Sequence, residues 1–121
     1  MTDHYAHHEP DRADIDRTSG PLLLEFGAPW CGFCQAAQPL LRKALASHPG
    51  LTHLKIEDGR GRPLGRSFRV KLWPTLVFLQ NGQEVGRLVR PSDEAEIGRE
   101  LEKIAAALPP GEKSFRMNSG E

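Results

Sequence analysis

The chain has two cysteines, and both lie in Pro29-Trp30-Cys31-Gly32-Phe33-Cys34. Thiols at this spacing can close a disulfide, exchange one with a partner, or supply half of a metal site. Zinc asks for four ligands, and no second cysteine pair is present. His4, His7 and His8 are the other metal-ligating candidates. No thiol or carboxylate framework fixes a geometry around them, so they read as part of a solvated polar segment, and no metal site is expected. Redox chemistry is the use that needs both thiols.

The pair needs a rigid platform, and its flanks supply one. Leu22-Leu23-Leu24-Glu25-Phe26 has the length and continuity of a strand buried on both faces, with Glu25 the one residue that does not fit. Gln35 to Ser47, rich in Ala, Leu, Gln and Lys, reads as a helix. The thiols therefore fall where a strand hands over to a helix. Cys31 would sit in the first turn, where free backbone N–H groups and the positive end of the helix dipole stabilise a thiolate. Cys34, one turn in, would be placed to attack a mixed disulfide formed on Cys31. Pro39 removes one helical N–H and should bend this helix, and His48-Pro49-Gly50 stops it.

Residues 1–9 are polar with no period of either kind and are expected to be disordered, and 11–18 suit at most a short helix. Leu51 to Glu57 alternates as a strand, with Thr52, Leu54 and Ile56 on one side and His53, Lys55 and Glu57 mostly opposite. Leu64 and Phe68, at i,i+4 spacing, mark a short helix inside the basic segment Arg60 to Lys71. That segment reads either as a cationic groove for an acidic partner or, as charge runs usually do, as a solvated face. Leu76 to Leu79 is a buried strand, Asn81-Gly82 suits a type I′ hairpin, and Val85 to Val89 returns as its antiparallel partner. Ser92 caps a last helix whose apolar stripe is Ile97, Leu101, Ile104, Ala105 and Leu108, with Pro109-Pro110-Gly111 as its stop.

The chain has 121 residues, with sixteen basic and sixteen acidic side chains. That balance argues for one domain and against nucleic acid or an anionic membrane as the main partner. No aromatic stacking platform accompanies the arginines. No window has the apolar length of a membrane span, and residues 1–9 lack the pattern of a secretory signal, so the chain is expected to be cytoplasmic. In that compartment a structural disulfide is out of place, which again favours redox use of the cysteines.

Trp30-Cys31-Gly32-Phe33-Cys34, Pro39 five residues beyond, Trp73-Pro74-Thr75 and the Asn81-Gly82 hairpin together resemble the thioredoxin family. The resemblance implies an α/β thioredoxin fold with a central mixed β-sheet flanked by helices on both faces. It spans a domain at residues 19–108, with a polar tail at 1–18 holding the possible short helix and a flexible tail at 109–121. It implies that Cys31 is the attacking nucleophile and Cys34 the resolving thiol. It places Glu25, six before Cys31, as the buried acid that takes the proton of the resolving thiol, held by Lys55. The alternative for Glu25 is a strand end facing water. Pro74 would be the cis-proline beside the cysteines, although the bond could equally be trans on sequence alone. Substrate would lie along Trp30, Gly32, Phe33, Trp73, Pro74, Thr75 and Arg90, pairing with the backbone of Trp73.

Four residues depart from the family pattern. Phe33 replaces a proline, Gly27 stands where the family usually carries a tryptophan, so that one wall of the site would be thinner, Trp73 is bulkier than usual, and Arg90 replaces a glycine. A cation bordering Cys31 would favour its thiolate and shift the pair toward a stronger oxidant. The expected function is a monomeric thiol-disulfide oxidoreductase reducing protein disulfides. It would need no cofactor beyond the Cys31-Cys34 pair itself and would be recycled by a thioredoxin-reductase-like flavoprotein or by glutathione. The alternative is a binding module of the same fold, with one dedicated partner and little turnover.

Overall fold

The computed structural model describes residues 1–106. Along them run α1 (Arg12–Asp16), β1 (Pro21–Gly27), α2 (Gly32–Leu45), β2 (Thr52–Glu57), α3 (Pro63–Ser67), β3 (Thr75–Gln80), β4 (Gln83–Val89) and α4 (Glu94–Ala106). The last apolar position expected of α4, Leu108, and the tail at 109–121 lie outside the described residues.

The sheet order is β2-β1-β3-β4. β1 pairs parallel with β2 and antiparallel with β3, and β3 pairs antiparallel with β4, so the sheet is mixed. β1 is central and buried from Leu22 through Gly27. Its alternate side chains feed two separate cores, which explains the unbroken apolar run. Leu23 joins Leu76, Phe78 and the stripes of α2 and α4, including Leu41, Ile97, Leu101 and Ile104. Leu22, Leu24 and Phe26 face the other way, onto Ile15 of α1, Ile56, and Leu64 and Phe68 at α3.

The hairpin turn is built as its residues require. Asn81 and Gly82 both have positive φ, at 54° and 79°, the pair of conformations a type I′ turn needs. A side chain at Gly82 would also run into the backbone carbonyl of Asp16. The Asn81 side chain and backbone tie the turn to Gly20, accepting from its N–H at 2.8 Å and donating to its carbonyl at 3.1 Å. α2 continues through Pro39 as one helix.

The main departure from the sequence reading is at the N-terminus. Residues 1–9 were expected to have no fixed structure, but Tyr5 forms a parallel bridge to Lys55 and the Ala6 N–H donates to the Lys55 carbonyl at 2.8 Å. Glu9 accepts the Leu64 N–H at 2.9 Å. The segment covers the open edge of β2, which would otherwise present unpaired backbone groups. One half-buried aromatic ring and a few backbone bonds suffice, and neither leaves a periodic pattern to detect.

Candidate active site

Cys31 is the N-cap of α2, with extended backbone (φ −83°, ψ 120°), and its sulfur accepts the Cys34 N–H at 3.2 Å. The strand-to-helix junction therefore gives this sulfur one of the unpaired helix N–H groups. Both cysteines are free. Cys34, one turn in, is 2% exposed, and its thiol is pushed up to about 12, first by burial and next by the neighbouring Cys31 sulfur. At neutral pH it is a thiol, so using it as a nucleophile requires a base.

A buried carboxylate, Glu25, is near enough to raise the Cys34 thiol further. Glu25 is completely buried, which excludes the water-facing alternative. Burying an unpaired carboxylate costs several kcal/mol, so both oxygens must find donors. Oε1 lies 2.9 Å from His53 Nε2, and Oε2 accepts from Gln38 Nε2 at 2.8 Å. The Thr2 N–H donates to His53 Nδ1 at 3.3 Å. With Nδ1 accepting, Nε2 carries the ring hydrogen and donates it to Glu25. Gln38 Nε2 also donates to the Cys34 carbonyl at 2.9 Å, joining the buried acid to the turn that carries the thiol.

Lys55 does not hold Glu25 directly. Its Nζ donates to Gln38 Oε1 at 3.2 Å and sits 4.7 Å from the centre of the Tyr5 ring. The direct partner is His53, two residues earlier on the same face of β2. Register explains the exchange. Glu25 is opposite Lys55 in the parallel pair, yet the carboxylate lies against His53, while Lys55, equally buried, reaches Gln38. The lysine stem, longer, carries its charge past the acid. Of the three, only Glu25 and Lys55 were signalled by sequence. His53 could have been found from the alternation of β2, since it shares the face of Lys55.

Gly27 does not leave a thinned wall. A Cβ there would lie 2.5 Å from Cys34 Sγ and 3.3 Å from the Tyr5 hydroxyl oxygen. The thiol and the N-terminal tyrosine occupy the volume instead. A cleft of about 60 Å³ lined by Tyr5, Cys34, Gln38 and Lys55 adjoins them, large enough for water. Nothing in residues 1–9 taken alone marks Tyr5 as part of a site, because its partners lie some fifty residues and twenty residues away along the chain.

The other side of the dithiol is a surface. Trp30 and Phe33 are 72% and 58% exposed. Trp73 packs on the cluster of Ala28, Cys31 and Cys34, meets Trp30 edge-on with ring centres 5.3 Å apart, and donates its indole N–H to Asp58 at 2.8 Å. The Trp73–Pro74 bond is cis. Arg90 lies 4.0 Å from the centre of the Phe33 ring and donates from Nε to the Trp73 carbonyl at 2.8 Å. Gly32 is exposed beside them. Thr75, by contrast, is buried with its hydroxyl on the Leu72 carbonyl, so it shapes the loop from inside. In the basic segment Arg62 approaches Glu57 at 3.8 Å, and Arg60, Arg66, Arg69 and Lys71 are exposed.

Among the described residues no cluster of three or more His, Cys, Asp or Glu is placed to hold a metal, and no helix is long and apolar enough to cross a membrane. The arrangement is a dithiol with one sulfur at a helix cap under an exposed aromatic rim, and the other buried over a carboxylate.

The chain is similar to known proteins in sequence and in fold. The model of a family described as Thioredoxin matches residues 6–103. The thioredoxin of Mycobacterium bovis is 32% identical over 96 residues, covering 78% of this chain and 83% of that protein. Reduced thioredoxin 2 of Pseudomonas aeruginosa PAO1 superposes with a TM-score of 0.78 at 51% identity, over 88% of this chain and 98% of that one. The bifunctional thioredoxin reductase/thioredoxin of Mycobacterium leprae is 31% identical over 97 residues, which is 79% of this chain and 21% of that longer protein.

Proposed function

This chain belongs to the thioredoxin family and is a thiol-disulfide oxidoreductase, and from that premise we propose that Cys31 attacks protein disulfides while Cys34 resolves them. The Cys31 thiolate attacks one sulfur of the substrate disulfide; that sulfur bonds to Cys31 and the other leaves as a thiolate, taking a proton from water. Cys34, held as a thiol by burial, gives its proton to Glu25 and attacks the Cys31 sulfur. The second substrate sulfur leaves reduced, and the enzyme holds a Cys31–Cys34 disulfide. Two electrons pass to the substrate through the pair itself, with no further cofactor.

The observation that carries this reading is the contrast within one helical turn. One sulfur caps α2 beside an exposed rim; the other is pushed up to about 12 beside a buried carboxylate that His53 and Gln38 keep as an acceptor. The rim of Trp30, Gly32, Phe33, Trp73 and Arg90, with Pro74 buried behind it, is the surface we assign to the substrate. Recycling by a separate thioredoxin-reductase-like flavoprotein is supported by the Mycobacterium leprae relative, whose name joins a thioredoxin reductase to a thioredoxin in one chain; glutathione is the other candidate. A cytoplasmic, monomeric protein fits a small domain that works by encounter.

Insulin reduction tests the core of the reading. The wild type precipitates insulin B chain in the presence of dithiothreitol, and Cys31→Ser does so at the background rate. Cys34→Ser still attacks but accumulates a mixed disulfide visible as an added mass. Equal activity of Cys31→Ser and wild type overturns the assignment.

A further inference from the structure

Arg90 is held unusually firmly for an exposed arginine. Its backbone is left-handed, with φ of 51°, and its N–H donates to the Pro74 carbonyl at 2.9 Å. Its guanidinium is fixed on two sides, over the Phe33 ring and on the Trp73 carbonyl through Nε. Phe33 lies between the two cysteines, so the charge stands at the mouth of the dithiol. Stacking and a neutral carbonyl hold the group without neutralising it.

No carboxylate among the described residues pairs with Arg90, whereas Arg12, Arg17, Arg62 and Arg87 each have one. The acids just beyond it are turned away. Asp93 accepts the Glu96 N–H at 2.9 Å, and Glu96 accepts the Ser92 N–H at 3.1 Å. With Nε engaged, the two terminal nitrogens of Arg90 keep their N–H groups for a ligand, in the fork that suits a carboxylate. Beside it opens a groove of about 430 Å³ with Phe33, Ala36, Leu40 and Pro91 in its lining. Val89, next to Arg90 in the chain, and Leu72, next to Trp73, are about half exposed.

We propose that Arg90 is a specificity determinant for the disulfide reductase described above, selecting substrate segments that carry an Asp or Glu beside the target cysteine and an apolar residue next to it. The carboxylate meets the free edge of the guanidinium and the apolar side chain enters the groove beside Phe33. A basic residue in the same place meets a like charge that cannot move away. This rests on the oxidoreductase reading and narrows its substrates.

Two disulfide-linked peptides of equal apolar content, one with Glu and one with Lys beside the cysteine, separate the possibilities. The readout is the ratio of their reduction rate constants within each variant, so a general loss of activity cancels. For wild type, the acidic peptide is reduced about two- to fivefold faster, the size of one exposed ion pair, and the ratio shrinks in 0.5 M salt as screening requires (about a 4 Å Debye length). Arg90→Gln brings the ratio to about one, and Arg90→Lys keeps part of it because charge remains without the planar fork. A wild-type ratio near one, or a ratio unchanged in Arg90→Gln, overturns the proposal while leaving the reductase reading intact. Failure of wild type to reduce either peptide overturns both.

Discussion

The two sides of the dithiol differ more than three residues of separation suggests. On the side of Cys31, Trp30, Phe33, Leu72 and Arg90 face solvent, contacts are between ring faces and edges, and the charge of Arg90 has no counter-ion among the described residues. On the side of Cys34, Glu25, His53 and Lys55 are all buried and each polar group has a specific partner. The first side suits encounter with varied partners, since flat aromatic surface and one fixed cation ask little of the ligand's shape. The second suits a single proton transfer, for which geometry must be held. Groups from four stretches of chain, the Thr2 N–H with the Tyr5 ring, β1, α2 and β2, hold it.

Removing the buried acid should break this division most. Glu25→Gln keeps an acceptor for His53 but no base for Cys34. The initial attack by Cys31 should be unaffected while the mixed disulfide persists about a hundredfold longer, the usual size of a general-base contribution. Rapid-quench mass spectrometry of the enzyme-substrate adduct measures both steps. Equal slowing of attack and resolution would mean that the two sides are not separate.

A smaller effect is expected at the N-terminal wall. Tyr5→Ala removes the ring over Lys55 and opens the space beside Cys34, costing about 1–2 kcal/mol of stability for a half-buried aromatic, read by urea denaturation. Tyr5→Phe should restore most of it, since the ring and not the hydroxyl meets Lys55. A tyrosine that merely rests on the surface would give no change in either variant.

A pH dependence, confined to alkaline solution, tests the buried side on its own. The native state holds the Cys34 proton more tightly than an unfolded chain does, with the thiol moved from 9.0 to about 12. Its contribution to the stability of the reduced protein is therefore present below about pH 9 and lost as pH rises toward about 12. Comparing wild type with Cys34→Ala across that window isolates it from the other alkaline groups, Tyr5 among them. The difference between the two should narrow as pH rises; a constant gap would show that burial does not act on this thiol as described.

Much of the frame was legible because it is local. Continuous apolar residues from Leu22, the i,i+4 pair Leu64 and Phe68, Asn81-Gly82 and the stripe of Ile97, Leu101 and Ile104 each state a conformation within one turn or strand. Glu25 stood out because a charge in a buried strand violates its neighbours' pattern. The partner of Glu25 was misjudged because choosing between His53 and Lys55 depends on side-chain length across a strand pair. The wall at Gly27 was misjudged because Tyr5 reaches it from a segment with no pattern of its own.

The order of residues alone determined that a reactive pair stands at a strand-to-helix junction and that an acid interrupts the apolar strand before it, since caps, periods and turns act over a few residues. The tertiary structure alone decided what surrounds the pair: His53 under Glu25, Tyr5 in the space left by Gly27, Trp73 on Asp58, and Arg90 locked over Phe33. Those contacts join residues distant in the chain, and which of them form is settled only when packing brings the partners of the buried polar groups within reach.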